Sequence, residues 1–109
     1  MIDKEIIKGL KERFLKQIEE RTNNNKEFKT DFKYFQTLEK IKDEFNKVRE
    51  EAFGKLLEPF YSEIIEISKA LFKECPKCLS LNLEDIKQEI TLAFFESLIE
   101  LNFEQTYLS

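Results

Sequence analysis

The sequence predicts an all-α fold, a small four-helix bundle with one long helix that protrudes or is completed by a partner chain. Three observations lead there. Gly and Pro occur only twice each in 109 residues, too few for the turns of an all-β fold. Long stretches are built from Glu, Lys, Leu, Ile and Phe. Apolar residues recur at spacings of three and four in successive segments, which places them on one side of a helix.

The first helix is expected over 2–21, where Ile7, Leu10, Phe14 and Ile18 share a face that Ile6 and Leu15 widen. Thr22-Asn23-Asn24-Asn25 is expected to end it, because Asn tolerates left-handed backbone and caps helix ends. The polar run through Thr30 then reads as a loop anchored by Phe28. Thr30 or Asp31 can cap a second helix. This long helix is expected over 31–56, marked by Phe35, Leu38, Ile41, Phe45, Val48, Ala52 and Leu56, and would span roughly 37 Å.

Pro59 lacks an amide hydrogen and clashes with a preceding helical turn, but fits a first helical position. A third helix is therefore expected over 59–74. Its two adjacent apolar rows, Phe60, Ile64, Ile67 and Leu71 beside Tyr61, Ile65, Ser68 and Phe72, predict that it is the most buried element. Asn82 reads as the N-cap of a fourth helix over 83–102, with Glu84 and Asp85 favourably placed in the first turn. Its inner face is expected to be Ile86, Ile90, Ala93, Phe94, Ser97, Leu98 and Leu101. The remaining residues, 103–109, are expected to fray or to dock through Phe103 and Tyr107.

The length suits one domain, residues 1–109, and 41% apolar residues suffice for a core. That core is modest, since a domain of this size buries about two-thirds of its unfolded surface. Residues 1–55 hold fourteen basic and twelve acidic side chains, net +2, whereas residues 56–109 hold four and ten, net −6. The acidic half repels phosphate, so nucleic acid is expected to bind weakly or indirectly, while a basic protein surface remains a fitting partner. No segment is apolar enough to span a membrane and the charged start does not read as a signal peptide. The expectation is a cytoplasmic protein with its two cysteines reduced. Lys and Glu strongly outnumber Arg and Asp, a bias shared by thermophile proteins and AT-rich genomes.

The chemistry-bearing residues point away from catalysis. Cys75 and Cys78 form a lone CxxC with no His in the chain, whereas tetrahedral zinc needs four ligands. The pair reads as part of a structural loop. A zinc or disulfide shared between two chains, or a redox dithiol, is the alternative. Glu63 with Glu66, Glu96 with Glu100, and Glu100 with Glu104 share helix faces but lack the histidines of a helical di-metal site. They read as solvated surface. Ser62, Ser68, Ser80 and Ser97 have no evident activating base, and no glycine-rich phosphate loop exists. A non-enzyme without a cofactor is expected.

Lys26, Lys29, Lys33, Lys40 and Lys42 interleave with Phe28, Phe32, Tyr34 and Phe35. Basic and aromatic residues together can hold single-stranded nucleic acid, with Lys29 and Lys33 as contacts. The same pattern describes a helix with a solvated lysine face, which is the reading preferred. Eleven Phe are more than so small a domain hides well, about seven or eight rings. The surplus predicts a homo-oligomer or another protein partner, with an interface of Phe35, Leu38, Phe45, Val48 and Ala52 on the long helix.

The order of these features resembles the helical A domain of GINS subunits of the archaeal and eukaryotic replication fork. Residues 6–21 resemble that family's opening helix, and Glu27-Phe28-Lys29-Thr30-Asp31-Phe32 its acidic-aromatic entry to the second. Leu57-Glu58-Pro59-Phe60-Tyr61-Ser62-Glu63-Ile64-Ile65-Glu66-Ile67 resembles a later helix, and Asn82-Leu83-Glu84-Asp85 the opening of the last. The family's usual basic residues near the third helix are replaced by Glu63 and Glu66, and its small β-rich second domain is absent. The resemblance implies a non-catalytic scaffold, since GINS helical domains pack into a tetramer and bridge the helicase to a RecJ-like partner. The alternative is a small helical subunit of another nucleoprotein assembly, such as a CRISPR effector, or a protein of an archaeal virus or plasmid.

Overall fold

Residues 2–41, 43–44, 46–74 and 81–101 are described by a computed structural model. The elements are α1 (Lys4–Asn24), α2 (Lys26–Lys40), α3 (Asn46–Leu57), a 3-10 turn (Glu58–Phe60), α4 (Tyr61–Glu74) and α5 (Leu83–Glu100). The fold is all-α, as the periodicity predicts, and no strand occurs among the described residues.

The expected loop at 22–30 is absent. Helix α1 continues to Asn24, and Asn25 alone, with extended backbone (φ −135°, ψ 106°), separates it from α2. The Asn25 side chain accepts the Phe28 N–H at 3.0 Å, while its own N–H bonds back to the Arg21 carbonyl at 2.9 Å. One residue thus closes α1 and caps α2. Thr22 is buried, and its hydroxyl donates to the Glu19 carbonyl at 2.8 Å, so it joins the helix instead of ending it.

The long helix expected over 31–56 is also corrected. The chain leaves helix after Lys40 and re-enters it at Asn46, with Ile41 at φ −121°, ψ 34°. The Ile41 N–H bonds to the Leu38 carbonyl, and the Glu44 N–H to the Ile41 carbonyl, both at 3.1 Å. Helices α2 and α3 therefore form an antiparallel hairpin, pinned by Lys55 to Asp31 and by Arg49 to Glu39. Folding back lets Phe35 on one arm and Phe53 and Leu56 on the other meet the same core.

Pro59, expected to start a new helix, sits instead inside an almost continuous helical path. Leu57 (φ −69°, ψ −32°) and Tyr61 (φ −61°, ψ −45°) on either side of the 3-10 turn are helical. The long element exists, but it covers 46–74 and not 31–56. Proline at the second position of the 3-10 turn loses only a bond that the switch in hydrogen-bond pattern already interrupts.

The burial order also differs from expectation. Helix α4 buries Ile64 and Ser68 but leaves Tyr61 and Phe72 nearly half exposed. The central element is α5, which buries Ile86, Ile90, Ala93, Phe94, Ser97 and Leu98. It packs against both α1 and α4. It runs parallel to α1, since Ile2 meets Glu89 at one end and Lys11 meets Glu96 and Glu100 at the other. The N-cap expected at Asn82 forms as a full capping box with Asp85.

The core is one connected cluster dominated by phenylalanine. Phe94 stands edge-on to Phe14 at 5.4 Å and packs 4.7 Å from Phe60. Phe53 and Phe95 meet at 5.0 Å, and Phe35 abuts both. Offset and edge-to-face pairs of this kind add about 0.5–1.5 kcal/mol each beyond area burial.

Candidate protein-interaction surface

Among the described residues, those expected to form an interface on the second helix are not brought together on one surface. Phe35 and Leu38 are buried within the chain, and Ala52 is half-buried against the same core. Val48 is exposed at 36%, while Phe45 lies outside the described residues. The α2–α3 reversal is the cause, because it folds the stripe onto the rest of the bundle. Most of the phenylalanine surplus is absorbed in the same way, with Phe72 the described ring left exposed.

The basic-aromatic run is likewise divided. Phe28, Phe32 and Phe35 point into the core, leaving Tyr34 as the exposed ring, at 52%. Lys29 is half-buried and Lys33 exposed on α2, so these lysines lack a platform of rings for stacking bases. Lys42 and the pair Cys75 and Cys78 lie outside the described residues, as do Glu104, Phe103 and Tyr107.

Other chemistry-bearing groups are held in structural roles. Ser68 donates to the Ile64 carbonyl at 2.6 Å and Ser97 to the Ala93 carbonyl at 2.9 Å, within their own helices. Glu63 pairs with Arg13 and accepts from Gln17 Nε2 at 3.2 Å. Glu96 and Glu100 share Lys11, at 3.2 and 2.6 Å. Hydrogen bonds to Glu100 and then Glu96 raise the Lys11 pKa above its ordinary 10.5, because both favour the charged ammonium. The Arg21 guanidinium lies 5.4 Å from the centroid of Phe60 and 5.8 Å from that of Phe28, capping the core edge by cation–π attraction. Among the described residues no cluster of His, Cys, Asp or Glu is placed to hold a metal ion. No helix among them is long and apolar enough to cross a membrane.

The surface that stands out is the outer side of α5. Leu92, Phe95 and Ile99 are three and four residues apart, so they form one stripe opposite the buried face. Leu92 is 54% exposed and Ile99 45%, while Phe95 is half-buried against Phe35 and Phe53. The stripe therefore rests on the rigid aromatic core. Beside its C-terminal end lies a hollow of about 490 Å³, lined by Phe95 and Ile99 and by Glu39, Asp43, Asn46 and Arg49 from the α2–α3 turn. Arg49 is committed to Glu39 at 3.4 Å and to Asn46 Oδ1 at 2.6 Å. The end of α5 is fixed there too, since Gln36 Nε2 donates to the Leu101 carbonyl at 3.0 Å.

Charge around the stripe is predominantly negative. Helix α5 carries Glu84, Asp85, Glu89, Glu96 and Glu100 against one cation of its own, Lys87, and Lys11 of α1 at Glu96 and Glu100. Lys87 is itself drawn toward Glu84, at 3.3 Å, and the Tyr61 ring. Asp43 adds a further carboxylate at the hollow.

Sequence reasoning missed this stripe. The signal was present, because α5 is apolar on two opposite sides, one more than a single packing contact requires. The inner face, already complete with Ile86 through Leu98, drew the pattern, and Leu92, Phe95 and Ile99 fell between its rows. No protein family, curated protein or solved structure matches this chain.

Proposed function

We propose that this domain is a non-catalytic assembly module that presents the outer face of α5 to another protein. The observation that carries the reading is the exposure of Leu92 and Ile99 on a helix whose opposite side is already fully packed. Leaving each half in water forgoes roughly 1 kcal/mol relative to burial, and a partner recovers it. Phe95 beneath them supplies a stiff base, which lowers the ordering cost of association. The exposed rings on α4 support the reading less well. Tyr61 is partly covered by Lys87, and Phe72 stands near the end of its helix.

Site-specific photo-crosslinking tests the proposal. A crosslinker at residue 92 or 99 should yield a discrete adduct in cells that make the protein, and one at Lys33, on a different helix, should not. Equal yields at the two faces would overturn the reading. A replication-fork scaffold of the GINS kind is the setting favoured by the sequence pattern at 6–21, 27–32 and 57–67. Recovery of replicative helicase subunits in the 92 or 99 adduct would support that setting, and adducts with proteins of another assembly would replace it.

A further inference from the structure

We infer that the α5 stripe and its adjoining hollow receive an amphipathic helix of a partner protein, apolar along one side and bearing Lys or Arg beside that stripe. The inference rests on the assembly reading above and assigns the chemistry of the partner.

Geometry sets the first half of the assignment. Leu92 to Ile99 covers two helical turns, roughly 10 Å at about 1.5 Å per residue. Phe95 lies between them on the same side of the helix. A complementary helix with apolar residues at intervals of three and four lays its knobs along such a row, whereas an extended strand has no open sheet edge here to pair with.

Charge sets the second half. The hollow is lined by Phe95 and Ile99 together with the Asp43 carboxylate, while the Glu39 carboxylate in its wall is paired with Arg49. Arg49 is engaged by Glu39 and Asn46, and no hydrogen bond or ion pair holds Asp43 among the described residues. A lysine or arginine fits both features at once, its methylene stem on Ile99 and its charge at Asp43. Helix α5 keeps a net negative charge, since its five carboxylates are met by Lys87 and by Lys11 of α1. That charge also disfavours a second copy as the occupant, because two α5 faces brought together would set like charges against each other.

The test uses three synthetic helical peptides of one leucine pattern, flanked by Lys, by Gln or by Glu, titrated into the isotope-labelled full chain by NMR. The expected result is saturable binding of the Lys peptide, at least tenfold tighter than the Glu peptide, with shifts centred on residues 92–99 and 39–49. Ile99→Asn and Asp43→Asn should each weaken it about fivefold while leaving the remaining spectrum in place, since both side chains are at the surface. Raising the salt should weaken the wild type more than Asp43→Asn. Equal binding of all three peptides at the stripe would overturn the basic partner but leave the assembly reading standing. Lys-peptide binding that ignores both substitutions would reveal diffuse attraction to an acidic protein and overturn the site. Two further outcomes also overturn it. Shifts at 92–99 that grow with protein concentration alone would assign the face to a second copy. Binding that emerges only after removal of residues 102–109 would assign it to the chain's own end.

Discussion

At the scale of single residues, exposure separates two groups of apolar side chains that look alike in the sequence. Phe35 has no exposed surface and touches Phe53 and Phe95, so Phe35→Glu is expected to unfold the domain, as is Ile64→Asp on α4. An unpaired buried carboxylate costs several kcal/mol or takes up a proton, and circular dichroism with urea titration reads the loss. Leu92→Gln touches no core contact and should shift stability by no more than about 0.5 kcal/mol. Lys11 bridges α1 to α5 through Glu100 and Glu96. Lys11→Met is expected to cost under about 1 kcal/mol at neutral pH, since the pairs are partly exposed. Because the folded pKa of Lys11 is raised above 10.5, its contribution is complete below that value and fades as pH climbs through the folded one. The stability gap between wild type and Lys11→Met should therefore close at strongly alkaline pH and persist through the neutral range. A gap unchanged above pH 10.5 would mean the contribution is packing by the lysine stem.

At the scale of elements, the informative positions are the breaks. Asn25 separates α1 from α2 with one residue, and its side chain holds the Phe28 N–H. Asn25→Ala should cost about 1 kcal/mol, with Asn25→Asp close to wild type because its carboxylate still accepts that bond. A denaturation midpoint indifferent to Asn25→Ala would show that the packing of Phe28 on Phe60 sets the turn by itself. The capping box of Asn82 and Asp85 was legible from residue type and spacing. The α2–α3 reversal was not. Residues 41–45 contain no Gly or Pro, and Ile41 continues the helical period. Pro59 gave the opposite misdirection, because it reads as a break and yet lies in a path that remains helical on both sides.

At the scale of the whole molecule, the two misplaced breaks compensate. Moving the reversal from Pro59 to residues 41–45 turns a protruding helix into a hairpin, and the surplus of phenylalanine that argued for an exposed stripe on α2 and α3 becomes core. The unsatisfied apolar surface moves to α5, where Leu92 and Ile99 remain outside. Sedimentation should then show that Ile99→Glu leaves the chain folded and of unchanged mass in isolation, while removing its capture of the partner at residue 92. A chain that unfolds on Ile99→Glu would mean the stripe belongs to the core.

Residue type and local spacing were enough to establish that the chain is helical, where α5 begins, and which of its residues face inward, because capping and the 3.6-residue period act within a few residues. The boundaries of α2, the reversal at 41–45 and the passage through Pro59 were decided by the tertiary structure. Each depends on where Phe35, Phe53, Phe60, Phe94 and Phe95 could meet, a condition that links residues far apart in the chain. Local preferences of a few tenths of a kcal/mol to about 1 kcal/mol per residue yield to a shared aromatic core, where each ring is worth about 3–5 kcal/mol on truncation. The same core, once full, determined which apolar side chains were left at the surface.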